Sequence, residues 1–233
     1  MSTLVCHVRC HLPIAEIAVA GTLDDSTVIH VGAALTDCLA DQPDAVILDL
    51  AEMTCHDDRL PSWLHGWGRT AHRWPGSPLL VVAPGVDLPS EDGIVGYGDV
   101  GSAKEAANAV PLSLRRSIDL PPLPSSCAAA RDLAEQACRD FGAPRLAQLV
   151  RLLTSELTAN AVVHARTRLR VSLRRQGGSV YAAVRDGDPF LPQLPGPDDP
   201  GSSLELVMAL ASDWGSLLIS DGKVVWVRVD LPA

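Results

Sequence analysis

One stretch, residues 149–165 with the sequence LVRLLTSELTANAVVHA, most constrains what this chain can fold into. Its apolar residues recur at the period of an amphipathic helix. They are Leu149, Val150, Leu153, Leu157 and Ala161. At about 100° per residue, Glu156 and Asn160 lie one turn apart at the margin of this apolar stripe. A carboxylate and an amide there could face a ligand, although such a pair taken alone is also typical of a solvated helix edge.

Composition limits the classes of protein to consider. The chain has 233 residues, which suits one large domain or two of ordinary size. A hydrophobic fraction of 47% and a charged fraction of 20% indicate a globular protein. The net charge of −9 argues against a general nucleic-acid-binding surface. Because no apolar run approaches the roughly 18 residues of a membrane span, and the N-terminus lacks a signal-like core, we expect a cytoplasmic protein.

The first half of the chain alternates short strand patterns with helical ones. We predict strands at 4–11, 14–20, 45–50 and 78–83. We predict helices at 27–40, 57–72 and 102–110, the last with Ser102 as a candidate cap. A loop rich in Gly and Pro connects residue 83 to about residue 100. The order ββαβαβα is typical of an α/β domain.

Two segments of this half resemble STAS domains, the fold of anti-sigma factor antagonists. Residues 18–40 are similar to the strand and first helix of that family, and residues 45–60 to its phosphorylation loop. Asp49 and Asp57 match the family pattern, but Asp58 occupies the position of the phosphorylated serine. The Asp58 carboxylate could partly imitate a phosphoserine, or it could be an unconstrained or helix-capping residue. The resemblance implies a STAS-like domain that cannot be phosphorylated at the usual place.

The second half predicts a further α/β domain. We expect strands at 114–120, 168–174, 179–185, 215–220 and 224–231, two of which are joined by Asp221-Gly222. We expect helices at 127–141, with Ser125 or Ser126 as the cap, at 149–165 and at 202–211. The loop at 189–201 carries five prolines.

Three motifs in this half resemble the histidine-kinase-like ATPase superfamily, in its anti-sigma factor serine-kinase branch. Glu156 to Ala165 matches the N box, "E-L-x-x-N-A-x-x-H-A". Asp186-Gly187-Asp188 stands where the first glycine box begins, and Gly201 to Val207 where "G-x-G-L-x-L-V" is expected. The resemblance covers about residues 112–233.

This resemblance implies a site for ATP and Mg²⁺. Asn160 would be the metal ligand, Glu156 the catalytic base, and Asp186 the acceptor for the adenine amino group. The remaining cofactor-binding positions lie in the two glycine boxes: Gly187, Gly201, Ser202, Ser203 and Leu204. Ser203 replaces a family glycine, and Val224 replaces a threonine that supports the adenine aspartate. Either change would weaken nucleotide binding through lost clearance or a lost hydrogen bond.

The sequence therefore predicts an α/β (α+β) protein of two domains. By resemblance, residues 1–111 form a STAS-like domain with a mixed sheet and helices, and residues 112–233 a histidine-kinase-like ATPase α/β sandwich. We expect an ATP-binding regulator of the anti-sigma factor type, with serine kinase activity on a STAS antagonist. The alternative is a non-catalytic protein that binds a sigma factor or STAS partner without phosphotransfer. No direct contact with nucleic acid or membrane is expected. The resemblance also implies a homodimer.

Overall fold

The computed structural model describes residues 3–55, 59–85, 88, 93–192 and 203–231, without the side chains of Cys10, His11, Ser203 and Leu204. The chain divides into two compact units, Met1–Leu112 and Ser113–Ala233. Each unit contains a five-stranded sheet with helices packed against it. The predicted α/β fold class is therefore confirmed.

The first unit is built on a mixed sheet. Its elements are β1 (Leu4–His11), β2 (Ile14–Leu23), α1 (Val28–Ala40), β3 (Ala45–Cys55), α2 (Leu60–Arg73), β4 (Leu79–Val82), β5 (Ile94–Tyr97) and α3 (Val100–Ala109). The strand order in the sheet is the order in the chain, β1-β2-β3-β4-β5. β1 and β2 pair antiparallel, whereas the remaining neighbours pair parallel. This agrees with the predicted mixed sheet.

Two details of the first unit differ from the prediction. The Gly- and Pro-rich stretch before α3 contains the short strand β5, which the composition of its surroundings conceals. The cap of α3 is Asp99, not Ser102, because the Asp99 carboxylate accepts a hydrogen bond from the Ser102 backbone N–H at 2.9 Å. The Asp99 pKa is lowered by hydrogen bonds from the backbone and side chain of Ser102.

Strand β3 lies in the middle of this sheet, and its first four residues are buried on both faces. Ala45 and Ile47 pack against Ala103 and Ala107 of α3. The intervening Val46 points to the opposite face and is fully buried there. This explains the continuous apolar sequence at the start of the strand. Among the described residues, no helix combines the length and the hydropathy needed to cross a membrane.

The second unit is built on an antiparallel sheet. Its elements are β6 (Leu114–Leu120), α4 (Ser126–Asp140), α5 (Ala147–Asn160), β7 (Leu169–Gln176), β8 (Ser179–Asp186), α6 (Ser203–Leu210), β9 (Asp213–Ile219) and β10 (Gly222–Asp230). The strand order is β6-β7-β8-β10-β9, so the last strand lies inside the sheet. The helix predicted at 149–165 is wrong in its bounds, since α5 is followed by a π-helical turn, Ala161–Ala165.

One face of this sheet and the helices enclose the core. Every second residue of β7, β8 and β10 points to it. These residues are Leu169, Val171, Leu173, Val180, Ala182, Val184, Val225, Val227 and Val229.

At the start of α4, the buried Ser126 hydroxyl donates to the Pro121 carbonyl oxygen at 2.6 Å, whereas the Ser125 side chain makes no capping hydrogen bond. Ser126 therefore fixes the chain entering α4.

Candidate functional site

Helix α5 carries two of the predicted site residues, Glu156 and Asn160. Both are half-buried. They flank the side of the helix where Val150, Leu153 and Leu157 enter the core. The helix packs against β8 and β10. The pair therefore lies at the margin of a buried surface and not on a fully solvated edge.

Two polar residues on the buried side of α5 are satisfied within the helix. The Thr154 hydroxyl donates to the Val150 carbonyl oxygen at 2.6 Å, and the Thr158 hydroxyl to the Thr154 carbonyl oxygen at 2.7 Å. Both threonines are fully buried. These bonds meet their hydrogen-bonding needs, so neither residue requires a ligand.

The π-helical turn ends the motif that begins at Glu156. The Arg166 backbone N–H donates to the Ala161 carbonyl oxygen at 3.2 Å, and Arg166 adopts a left-handed conformation with φ of 55°. Turns of this kind are frequent at functional sites because they redirect the side chains that follow. The exposed His164 of this turn makes the smallest of the contributions that lower the Asp188 pKa, after the hydrogen bonds from Lys223 and the Phe190 backbone N–H.

A hydrogen bond joins the segment just after this turn to the loop that follows β8. The Gly187 backbone N–H donates to the Thr167 hydroxyl oxygen at 2.8 Å. A Cβ at Gly187 would lie 3.4 Å from the Thr167 methyl carbon, so the two segments are in van der Waals reach. The π-helical turn itself contacts β8. The N box and Asp186-Gly187-Asp188, which are separate in the sequence, therefore lie at one end of the sheet.

Asp186 ends β8 on the face that carries the helices. Its side chain is 2% exposed, and it lies opposite Lys223 of β10. The Lys223 ammonium contacts Asp186 Oδ1 at 3.0 Å and Asp188 Oδ2 at 2.9 Å. It also donates to the Asp188 carbonyl oxygen at 3.1 Å. One cation thus bridges two carboxylates at the end of the sheet.

The two carboxylates of this cluster have opposite pKa shifts. Burial raises the pKa of Asp186 and outweighs the backbone N–H of Asp188 and the ammonium of Lys223, which lower it. The Asp188 pKa is lowered, chiefly by its hydrogen bond from Lys223 and then by the Phe190 backbone N–H. The difference follows from solvent access, since the Asp188 side chain is 20% exposed.

The sequence did not indicate a role for Lys223. It indicated Val224 instead, at the position of a threonine that supports the adenine aspartate in the family it resembles. Val224 pairs with Arg185, one position away from the Lys223–Asp186 pair. Because strand residues alternate between faces, Val224 points to the face opposite Asp186. The expectation that Val224 faces the adenine aspartate is therefore wrong. The residue beside Asp186 is Lys223, whose register could have been found only from the pairing of β10 with β8.

Several predicted residues lie partly or wholly outside the described part of the chain. Asp58, Gly201 and Ser202 are not among the described residues. Ser203 and Leu204 begin α6, but only their backbone is described. α6 packs on α5 and β9, and its Val207 enters the core.

An open depression of about 510 Å³ touches the site from the other side. Asp186 and Gly187 line it, together with two charge pairs: Arg170 with Asp119 at 2.7 Å and Arg185 with Asp221 at 2.8 Å. Neither Glu156 nor Asn160 lines this depression. It is therefore a neighbouring surface and not the cavity that the N box would border.

The oxygen atoms available at this site limit how it could hold the expected metal. Mg²⁺ prefers oxygen ligands and often shares them with substrate phosphates. Within the described ranges, no group of three or more His, Cys, Asp or Glu side chains is placed to hold a metal ion. Asn160 offers one amide oxygen at the margin of the core. These residues fit Mg²⁺ only where phosphate oxygens supply further ligands.

Comparisons with known proteins give a limited similarity. No family model matches the chain. No curated protein matches it either. Among solved structures, an anti-sigma factor antagonist from Mycobacterium paratuberculosis is similar, with 19% identity and a TM-score of 0.38. The match covers 46% of this chain and 95% of that one.

Proposed function

We propose that this chain is a regulator of the partner-switching type, whose second unit binds ATP with Mg²⁺. The observation that carries the proposal is the contact of the N-box turn with β8, the strand that Asp186 ends. Thr167, two residues beyond that turn, also holds the loop through its bond with Gly187. Glu156 and Asn160 stand one turn apart on α5, and Asp186 ends the strand against which that helix packs. A nucleotide would lie along this helix, with its base at Asp186.

The roles of the residues follow from their chemistry. Asn160 would share a magnesium ion with the phosphates, as an amide oxygen can. The Oδ2 atom of Asp186 would accept a hydrogen bond from the amino group of the base. The segment Gly201 to Leu204 would meet the phosphates at the start of α6, where the first backbone N–H groups of a helix favour an anion. Bound Mg²⁺ would neutralise charge on the phosphates.

Glu156 would be the base in a transfer to a partner protein. The partner's serine hydroxyl oxygen would form a bond to the γ-phosphorus while the bond from the γ-phosphorus to the bridging oxygen breaks. The serine proton would pass to the Glu156 carboxylate, and ADP would leave. The acceptor would be a serine on a separate STAS antagonist, because Asp58 stands at the usual position in this chain. A sigma factor is the other expected partner.

Calorimetric titration with Mg-ATP tests the nucleotide site. We expect binding by the wild type and its loss in Asn160→Ala, because the metal would lose its protein ligand. Asn108, the other asparagine of the chain, is exposed on α3. Asn108→Ala is therefore the matched control and should bind as the wild type does. Equal binding by the two variants would contradict the role of Asn160.

Two further measurements test the remaining parts of the proposal. Transfer of labelled γ-phosphate to a STAS protein should occur with the wild type and be lost in Glu156→Gln. Transfer that survives this substitution would reject Glu156 as the base. Light scattering at several concentrations tests the proposed homodimer, which requires a mass of twice 24.6 kDa.

A second candidate is a non-catalytic protein that uses the ATPase fold to bind partners. The bridging position of Lys223 favours it, since the ammonium already occupies one oxygen of the proposed base-binding carboxylate. If the wild type binds no Mg-ATP at millimolar concentration, the kinase proposal fails. Binding to a sigma factor or STAS protein without nucleotide would then support this second candidate.

A further inference from the structure

The Lys223 ammonium uses all of its hydrogen-bonding capacity inside the protein. Its side chain is 7% exposed. Its three acceptors are Asp186 Oδ1, the Asp188 carbonyl oxygen and Asp188 Oδ2, at 3.0, 3.1 and 2.9 Å. An ammonium group has three N–H donors, so the set is complete. Lys223 therefore stays in place without a ligand.

The bonds to Asp186 all fall on one of its two oxygens. Oδ1 accepts from the Lys223 ammonium at 3.0 Å and from the Asp188 backbone N–H at 3.0 Å. Within the part of the chain that the structure describes, Oδ2 accepts no hydrogen bond. Two donors on one oxygen fix the rotation of the carboxylate. The second oxygen is left to accept from something else.

The charges around Asp186 come from several elements. β10 contributes Lys223, the loop after β8 contributes Asp188, and the π-helical turn contributes His164, which acts on Asp188. Helix α5, packed on β8, carries Glu156. From β7, the residue opposite Asp186 is the apolar Leu169. Among the described residues, Lys223 is the cation in direct contact with Asp186.

We propose that Lys223 is a positioning residue for ligand binding at Asp186. It holds Asp186 as an ionised carboxylate in one orientation, with Oδ2 presented to an N–H donor of the ligand. This inference rests on the proposed nucleotide site.

The chemistry of the two oxygens explains why the cation is needed. Without it, a nearly buried carboxylate takes up a proton at higher pH, because burial disfavours the charged form. Oδ1 would still accept from the Asp188 N–H, so the proton would settle on Oδ2. Oδ2 would then be a donor and would repel the amino group of the base. Proton and ligand would compete for the same atom.

The test is the pH dependence of Mg-ATP affinity in Lys223→Met. We expect its Kd, divided by that of the wild type, to rise as the pH falls, approaching about tenfold per pH unit once Asp186 of the variant is mostly protonated. The ratio cancels the nucleotide's own titration. Lys223→Arg retains the cation and should keep the ratio nearly constant. Lys104→Met is the matched control, because Lys104 is the other lysine of the chain and its side chain, paired with Glu16, is 44% exposed.

A second measurement needs no nucleotide. With only two lysines in the chain, ¹⁵N-labelled lysine gives two side-chain ammonium signals in NMR spectra. We expect the Lys223 signal to exchange with water much more slowly than that of Lys104, whose side chain is 44% exposed. Equal exchange would overturn the proposal, because the ion cluster would then not persist.

The outcomes separate this proposal from the one on which it rests. Binding by the wild type with a pH-independent ratio in Lys223→Met would overturn the role of Lys223 alone. Absence of binding by the wild type and all variants would overturn the nucleotide site and this role together. If Lys223→Met does not fold, Lys223→Arg decides. Its ratio must stay constant across pH, and a tenfold change would reject the proposal.

Discussion

Gly222 begins β10 where the strand passes close to the end of β8, and Gly222→Ala should be one of the most damaging single-methyl additions in the second unit. A Cβ at this position would lie 2.0 Å from the Asp186 carbonyl oxygen and 2.7 Å from the Gly187 Cα. Both atoms belong to the backbone, so neither can rotate away. The φ of Gly222 is +149°, in a region that residues with a side chain rarely adopt. Either the strand or the Asp186 loop must shift.

The expected loss combines two costs. Forcing an extra methyl group into a packed site costs about 1–3 kcal/mol. The unfavourable backbone conformation adds about 1–3 kcal/mol. We therefore expect Gly222→Ala to lower the free energy of unfolding by about 2–6 kcal/mol. This is a large share of the stability of a typical domain, about 5–15 kcal/mol.

Two glycines in the turn between β7 and β8 serve as controls, since neither has a neighbouring atom within 4 Å of its added Cβ. Gly177 has a φ of +55°, so Gly177→Ala isolates the backbone cost, about 1–2 kcal/mol. Gly178 lacks that φ, and Gly178→Ala should change stability by no more than about 0.5 kcal/mol. Urea unfolding followed by circular dichroism measures all three. Because Gly177 lies in the second unit, the unfolding transition that Gly177→Ala shifts is that of the second unit. A loss in Gly222→Ala no larger than in Gly177→Ala would refute the reasoning from close backbone approach.

Three further predictions concern the helices of the second unit. Leu153→Ala should lower the free energy of unfolding in urea by about 2–5 kcal/mol, because Leu153 is fully buried in α5. Leu152 on the same helix is 39% exposed, so Leu152→Ala should cost only about 0.5 kcal/mol. Similar losses in the two variants would contradict the assignment of this face of α5 to the core. Ser126→Ala should lower the free energy of unfolding by about 1 kcal/mol, because its hydrogen bond to Pro121 is lost. Ser125→Ala should change it very little, because the Ser125 side chain makes no capping hydrogen bond. The reverse order would indicate that the Ser125 side chain caps α4. Burial raises the pKa of the Cys138 thiol to about 11. Since the thiolate is the reactive form, alkylation of Cys138 at about pH 8 should be far slower in the folded protein than in urea, and mass spectrometry should find equal rates only if the thiol is accessible.

Local patterns predicted most of the fold. The helical period over Leu149 to Ala161 reflects burial of one face of a helix. The continuous apolar sequence at the start of β3 reflects burial of both faces of a strand. Both patterns can be read from the residue types alone. Strand β5 was missed because its four residues lie beside glycines and are half exposed, so no period stands out. The end of α5 was missed because a π-helical turn uses the same residue types as an α-helix.

The candidate site was predictable where its residues share one helix and not where it depends on strand register. Glu156 and Asn160 share a margin at any register, since four residues make about one turn. Lys223 and Asp186 are 37 residues apart, and only the alignment of β10 with β8 makes them neighbours. A shift of one residue would exchange Lys223 for Val224 beside Asp186. The sequence alone therefore could not distinguish a cation from an apolar side chain there.

The position of β10 inside its sheet has a consequence for folding during synthesis. Strands of the first sheet pair in chain order, so each can add to its predecessor as it leaves the ribosome. The second sheet cannot be completed in this way, because β9 has no neighbour until residues 222–230 have emerged and inserted beside β8. Until then β8 presents an open edge that can pair with another nascent chain. A ribosome that stalls before Gly222 should therefore hold a folded first unit and an aggregation-prone second one. In that second unit the Asp186 carboxylate lacks the ammonium group of Lys223.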